Sequence, residues 1–274
     1  MRVFAGSLLF AISISTFVYS CAHNPYAKTN KLYKQQAKQL AKNLQPVPNK
    51  LLLDSAIMPV YAVGTTNFDL RKPNFVIIHH TAQNSCEQTL KTFTLQRTKV
   101  SAHYVICKDG TIHHMLNDYL RAWQAGVSKW GNFTDINSSS IGIELDNNGS
   151  EPFPETQIVS LIKLLDTLKR NYSIPTANFI GHADIAPGRK VDPSAFFPWQ
   201  TLSQRGFGLW YDTTAVAVPE YFNVPQALRI IGYNIKDTLA AIRSFKIHFV
   251  PQDTVRALTE DDKKILFDLS RRYQ

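Results

Sequence analysis

Apolar residues run without a break from Phe75 to Ile78 and stop at His79-His80, the pattern of a short strand buried on both faces that ends on polar side chains. His103 to Cys107 leads into the turn signal Lys108-Asp109-Gly110-Thr111 and returns over Ile112 to Met115, which predicts a hairpin. Ser140 to Leu145 reads as another short strand. Between Pro154 and Tyr172 the period changes. Ile158, Leu161, Ile162, Leu165 and Leu168 recur at helical spacing and put one apolar stripe on a surface helix. Phe179-Ile180-Gly181 restores a strand, which ends on His182. Strands alternating with helices predict an α/β fold in which a mixed central sheet is flanked by helices.

From about Asn223 the texture differs. Ala227, Leu228, Ile230 and Ile231, then Leu239, Ile242, Phe245 and Phe249, then Ile265, Leu266 and Leu269 mark three short helices punctuated by Gly232 and Pro251. Thr259 followed by Glu260, Asp261 and Asp262 supplies a cap for the third, with acidic residues over its N-terminal dipole. Residues 223–274 are therefore expected as a small C-terminal three-helix domain, following an α/β domain over 51–212.

The start of the chain is of another kind. Met1-Arg2 and the apolar run from Val3 to Tyr19 are too short and too early for a membrane span and read as an export signal over 1–20. Val18-Tyr19-Ser20-Cys21 is similar to the lipobox of bacterial lipoproteins, in which cleavage exposes a cysteine for lipidation. Cys21 is the expected lipidation site, and Ala22 after it points to the outer membrane. Residues 21–50 are rich in Lys, Gln and Asn and close on Gln45-Pro46-Val47-Pro48-Asn49, as expected of a tether that is part-helical between Lys31 and Leu44. The expected location is the periplasm, on a lipid anchor.

Composition adjusts this picture at two points. With 274 residues and 44 % hydrophobic content the chain can bury a full core. The net charge of +9 comes partly from a lysine series near the N-terminus, Lys28 to Lys50, and not from a basic stripe interleaved with aromatics. Anionic surfaces such as phospholipid or a wall polymer are the expected partners, and nucleic acid is not. With Cys21 assigned to lipid, Cys86 and Cys107 remain; in an oxidising compartment they either pair or stay as free thiols, and spacing does not decide between these.

The candidate chemistry lies in two segments, Phe75 to Ala82 and Gly181 to Pro193, which together offer imidazoles and carboxylates. Two histidines and one carboxylate leave a zinc ion one open position, the arrangement of a catalytic site, whereas structural zinc is closed by four ligands and usually several cysteines. Adjacent strand residues face opposite ways, so only one of His79 and His80 reaches a given metal. Asp184 and Asp192 compete as the carboxylate; Asp184, two residues from His182, suits a capping or supporting role. His80, His113 and His114 are expected as structural residues.

Val76-Ile77-Ile78-His79-His80-Thr81-Ala82, Ser140 to Leu145, and His182-Ala183-Asp184-Ile185-Ala186-Pro187-Gly188-Arg189-Lys190-Val191-Asp192-Pro193 together resemble the zinc-dependent N-acetylmuramoyl-L-alanine amidases. That family is related to peptidoglycan-recognition proteins and phage lysozyme-type amidases, and the resemblance spans about residues 72–200. It implies His79, His182 and Asp192 as ligands of Zn2+, Glu144 as general acid and base, and Lys190 as the group that meets the developing oxyanion. The implied partner is peptidoglycan or muropeptides. The implied reaction is hydrolysis of the amide between N-acetylmuramic acid, anhydro form included, and L-alanine. The lipoprotein-like start suggests the outer-membrane branch of the family, and residues 223–274 are similar to peptidoglycan-binding three-helix domains. Where many relatives read Ala-Trp-His-Ala-Gly, this chain has Ala122-Trp123-Gln124-Ala125-Gly126. Trp123 and Gln124 are expected at the substrate wall, with Trp130 and Phe133 extending the groove. His103, in the family's Ser-x-His-Tyr pattern, is expected as a core or substrate-side group. The alternative is a recognition module that binds wall without cutting; such modules tend to lack a metal ligand, and this chain carries all three.

Overall fold

The computed structural model describes residues 24–44, 67, 69–214, 216–253, 255 and 257–274. The export signal, Cys21 and the proline-containing end of the tether lie outside the described residues. Two compact units divide the chain, Met1–Asn67 and Phe68–Gln274. In the first, helix α1 (Ala27–Ala41) continues into a single 3-10 turn, Lys42–Leu44, and buries none of its residues. Among the described residues no helix is long and apolar enough to cross a membrane.

The second unit runs β1 (Phe75–His80), α2 (Cys86–Thr94), β2 (Tyr104–Ile106), β3 (Ile112–His114), β4 (Ser140–Leu145), α3 (Glu155–Tyr172), β5 (Phe179–Gly181), α4 (His182–Ile185), α5 (Trp199–Gln204), α6 (Val224–Ile231), α7 (Thr238–Phe249) and α8 (Glu260–Arg272). The strands form one sheet in the order β3-β2-β4-β1-β5. β1, β2, β4 and β5 are parallel, and β3 returns antiparallel to β2 as the edge hairpin. The sheet is mixed, as the pattern predicts. Because β1, β4 and β5 run the same way, their carboxyl ends share one edge, and the histidines fall there.

Alternation along β1 sorts its side chains between two cores. Val76 and Ile78 join Ile141, Ile143, Leu145 and Phe179 beneath the Ile158, Leu161, Leu165 and Leu168 stripe of α3. Phe75 and Ile77, with Ile180, face the other way and pack with Leu228, Ile231, Phe245, Phe249, Leu266 and Leu269 of α6, α7 and α8. The three C-terminal helices occupy the expected positions, each opened by a capping side chain, Asn223, Asp237 or Thr259. They do not stand apart as a separate body: they form the third layer of a helix-sheet-helix sandwich and share its core. Cys86, at the start of α2, is bonded to Cys107 after β2, with Cα atoms 5.3 Å apart, so α2 is tied to the sheet.

Candidate metal centre

β1 delivers His79 on the face shared with Phe75 and Ile77. β5 ends at Gly181, and His182 opens the one-turn helix α4. The loop after α4 folds back so that the Ala183 amide donates to the Asp192 carbonyl at 2.7 Å, which brings Asp192 over both histidines. His79 Nδ1 and His182 Nδ1 lie 2.9 Å apart, and each is 3.0 Å from Asp192 Oδ2. All three residues are buried.

The far side of each ring is already committed. His79 Nε2 meets Gln124 Oε1 at 2.6 Å and His182 Nε2 meets the Ala125 carbonyl at 3.1 Å. Both partners are acceptors, so each Nε2 carries its proton and each Nδ1 is left with a lone pair to direct at the third ligand atom. Three lone-pair atoms thus converge on one point. Burial works against a charge on His79, but Glu144 and Asp192 outweigh it and raise its pKa. Burial and the charge of His79 push His182 down to about 4. Burial also opposes ionisation of Asp192, yet the hydrogen bonds from His182 and His79 hold its carboxyl well below the usual carboxylate range. A divalent cation held by the same three atoms would satisfy all of them at once. Two imidazole nitrogens and one carboxylate oxygen are the donor set of a catalytic zinc.

Glu144 pairs in register with His79 across β1 and β4, so the two project from the same face. Its Oε2 is sealed from solvent without a hydrogen-bond partner, and burial raises its pKa, Asp192 adding to the effect. Lys190 is half-buried two residues before Asp192, near enough that its charge depresses the pKa of His182 and of Glu144. A cavity of about 540 Å³ lies beside the cluster, lined by His80, Gly149, Val191, Ser194 and Arg243 among others, and includes none of the three converging residues.

Several expected positions are corrected. Gln124 is half-buried, and its side chain is spent on His79. It is turned inward onto His79, with its amide nitrogen donating to Ser140 Oγ at 2.8 Å, and Asn137 Oδ1 holds its loop through the backbone amides of Gln124 and Ala125. His103 is fully buried, 39 residues from the Gly142 amide it accepts from and bonded on its other side to the Leu120 carbonyl, so it is a core residue with no substrate face. Trp130 is buried against Tyr233 of the C-terminal layer and lines no groove. Trp123 is half-exposed, and Phe133 is exposed while packing edge-on against Phe75. His80 faces away from the cluster and accepts from the Ser194 amide, and Asp184 is held elsewhere by Gly181, Tyr233 and His248. His114 pairs with Asp118.

Sequence reasoning missed Arg189. Its guanidinium donates to the Ala125 carbonyl at 2.6 Å and to the Val127 carbonyl at 2.8 Å, clamping the loop that fixes the His182 ring. Its place beside Lys190 in the second segment was the available signal.

Residues 69–195 match the family model described as N-acetylmuramoyl-L-alanine amidase. The chain is 33 % identical over 208 residues to the N-acetylmuramoyl-L-alanine amidase AmiD of Escherichia coli strain K12, a match covering 64 % of this chain and 74 % of the relative. Among solved structures it is similar to the complex of E. coli AmiD with the substrate anhydro-N-acetylmuramic acid-L-Ala-D-γ-Glu-L-Lys, with a TM-score of 0.66 and 30 % identity over 76 % of this chain and 93 % of that one. It is also similar to AmpDH3 from Pseudomonas aeruginosa in complex with anhydromuramic pentapeptide, with a TM-score of 0.69 and 28 % identity over 79 % of this chain and 98 % of that one.

Proposed function

The chain belongs to the N-acetylmuramoyl-L-alanine amidase family, and from that premise we propose a zinc enzyme that cleaves the amide between N-acetylmuramic acid, anhydro form included, and the L-alanine of the stem peptide. The observation that carries the zinc assignment is the meeting of His79 Nδ1, His182 Nδ1 and Asp192 Oδ2 at 2.9 to 3.0 Å, each ring oriented from behind by an acceptor. Zinc held by these atoms supplies Lewis acidity toward an amide carbonyl and toward water.

The chain's own residues carry the rest of the reaction. Glu144, on the same sheet face as His79, takes a proton from the attacking water. The carbon–nitrogen bond breaks and Glu144 returns that proton to the departing alanine nitrogen. The products are a lactyl carboxylate and a free amino terminus. Burial, which raises the Glu144 pKa, brings both transfers closer to neutral pH. Lys190 meets the negative charge that grows on the carbonyl oxygen. Half-exposed Trp123 gives the opening an apolar wall for sugar or peptide. A role in recognition without cleavage fits less well, because ligand set, proton carrier and cation are all present.

The same reading places the protein in the periplasm, lipidated at Cys21 and anchored in the outer membrane. The apolar run over 3–19, the lipobox-like Val18 to Cys21 and the lysine-rich tether support this. Digestion of anhydro-muropeptides with zinc-loaded protein, followed by mass spectrometry, is expected to give free sugar and a peptide beginning with L-alanine; intact muropeptide with zinc retained would refute the activity. Labelled fatty acid should enter the wild type and not Cys21→Ser, and a wholly soluble, unlabelled wild type would refute the anchor alone.

A further inference from the structure

Asp184 is a buried carboxylate with three donors, two of them from the C-terminal layer. Its Oδ2 accepts from the Gly181 amide at 2.7 Å and from His248 Nδ1 at 2.7 Å, and its Oδ1 accepts from the Tyr233 hydroxyl at 2.7 Å. Gly181 and Asp184 bracket His182, so these bonds set the turn that presents the metal-ligating imidazole. The turn has no slack: a methyl group on Gly181 would lie 2.9 Å from Pro193 Cδ and 3.2 Å from Asp184 Oδ2.

The two donors are themselves fixed. His248, on α7, is stacked on Trp199 with ring centroids 3.9 Å apart. Tyr233, just after α6, packs edge-on against Trp130 at 5.1 Å. Trp130 belongs to the loop whose Ala125 carbonyl receives His182 Nε2, and that loop is joined to α4 by Lys129 N to Ile185 O at 2.8 Å and to the end of α6 by Gly131 N to Gly232 O at 2.7 Å. The backbone of His182 and the orientation of its ring are therefore both referred to the C-terminal layer.

We propose that the C-terminal helices complete the metal centre, with Tyr233 and His248 as positioning residues that hold Asp184 and, through it, the turn that presents His182. This rests on the reading of His79, His182 and Asp192 as the metal ligands. Removing either donor leaves a buried carboxylate under-satisfied, and the cost is relieved by a shift of α4 that moves the His182 nitrogen off its station.

The test compares zinc affinity, by chelator competition, with the melting temperature of the metal-free protein. Tyr233→Phe and His248→Leu are expected to weaken zinc binding about tenfold, the lower end of what supporting residues around a metal contribute. His248→Asn, whose amide restores a donor near the Nδ1 position, should recover most of it. Leu266→Ala, which opens the same helical layer without touching Asp184, is expected to lower the melting temperature at least as far yet leave zinc affinity within about twofold. Tyr233→Phe keeps the ring packed on Trp130, so the comparison does not depend on His248→Leu folding. Unchanged zinc affinity in folded Tyr233→Phe, or a loss in Leu266→Ala equal to that in His248→Leu, overturns the proposal. A His79→Ala variant that binds zinc like the wild type would instead overturn the ligand assignment beneath it.

Discussion

Gly142 lies under the side chain that orients His79, and adding one methyl group there should loosen the metal without touching a ligand. A Cβ at this position would sit 2.6 Å from Gln124 Cγ and 3.0 Å from its Cδ, so the Gln124 side chain must leave its place. Its 2.6 Å bond to His79 Nε2 goes with it. Loss of a residue that orients a metal-ligating histidine weakens metal binding by about 10- to 100-fold, and overpacking in a filled interior costs about 1–3 kcal/mol of stability. Gly142→Ala is therefore expected to reduce zinc affinity by about 10- to 100-fold in chelator competition, and Gln124→Ala by a similar factor. The double variant discriminates. Once Gln124 is truncated, the two tightest of these contacts vanish and its Cβ, at 3.1 Å, is relieved by a few tenths of an ångström. Gly142→Ala/Gln124→Ala should then bind zinc about as well as Gln124→Ala alone, a coupling of about 1.4 kcal/mol or more. Additive losses in the double variant would refute the reasoning, because they would mean that the methyl acts through the strand and not through Gln124.

His79→Ala, His182→Ala and Asp192→Ala should each lose zinc and activity, while His80→Ala keeps the metal; metal analysis after dialysis checks this. Glu144→Gln and Lys190→Ala should retain zinc and lose about 10²-fold or more in turnover, measured on a soluble muropeptide. Zinc should be released as pH falls, because binding displaces the proton that Glu144 and Asp192 hold on His79 against the effect of burial, whereas His182 stays neutral down to about 4. The affinity should drop about tenfold per pH unit below the raised His79 pKa, and a two-proton slope near neutrality in a zinc titration would contradict it. Truncation after Phe222 should give insoluble protein and not a trimmed amidase, which expression and circular dichroism would report.

The parts legible in the sequence are those set by short-range pattern. The run from Phe75 to Ile78 had to be a doubly buried strand, and the stripe from Ile158 to Leu168 had to be a helix with one apolar face. Strand alternation and the family resemblance select His79 over His80, and the sequence alone pairs it with His182 and Asp192, the three residues that meet in the fold. The misreadings are of one kind: each concerns a side chain whose role depends on what another element places opposite it. For Gln124 the partner that spacing hides is His79, onto which Gly142 leaves it room to fold down. Trp130 looked like a groove aromatic, and Tyr233, about a hundred residues further along, covers it. For His103 the sequence leaves a core and a substrate-side role open, and only the Gly142 amide and the Leu120 carbonyl that hold its ring decide for the core. Local spacing carries none of these partners.

The same limit explains why residues 223–274 looked like a separate domain. Three capped helices with their own apolar faces are locally indistinguishable from an independent bundle. The difference lies in Phe75, Ile77 and Ile180, which are 2 %, 0 % and 1 % exposed because α6, α7 and α8 cover them. Each represents about 1.5–3 kcal/mol of burial, so uncovering the three removes an amount comparable with the whole stability of an ordinary domain, about 5–15 kcal/mol, before the loss on the helices is counted. The strand face that buries Phe75 and Ile77 is also the face that presents His79, and Glu144 stands beside it. One alternating strand thus fixes the helical layer and the chemistry together: the helices keep the sheet face dry, and the end of that dry face is where two imidazoles and a carboxylate converge.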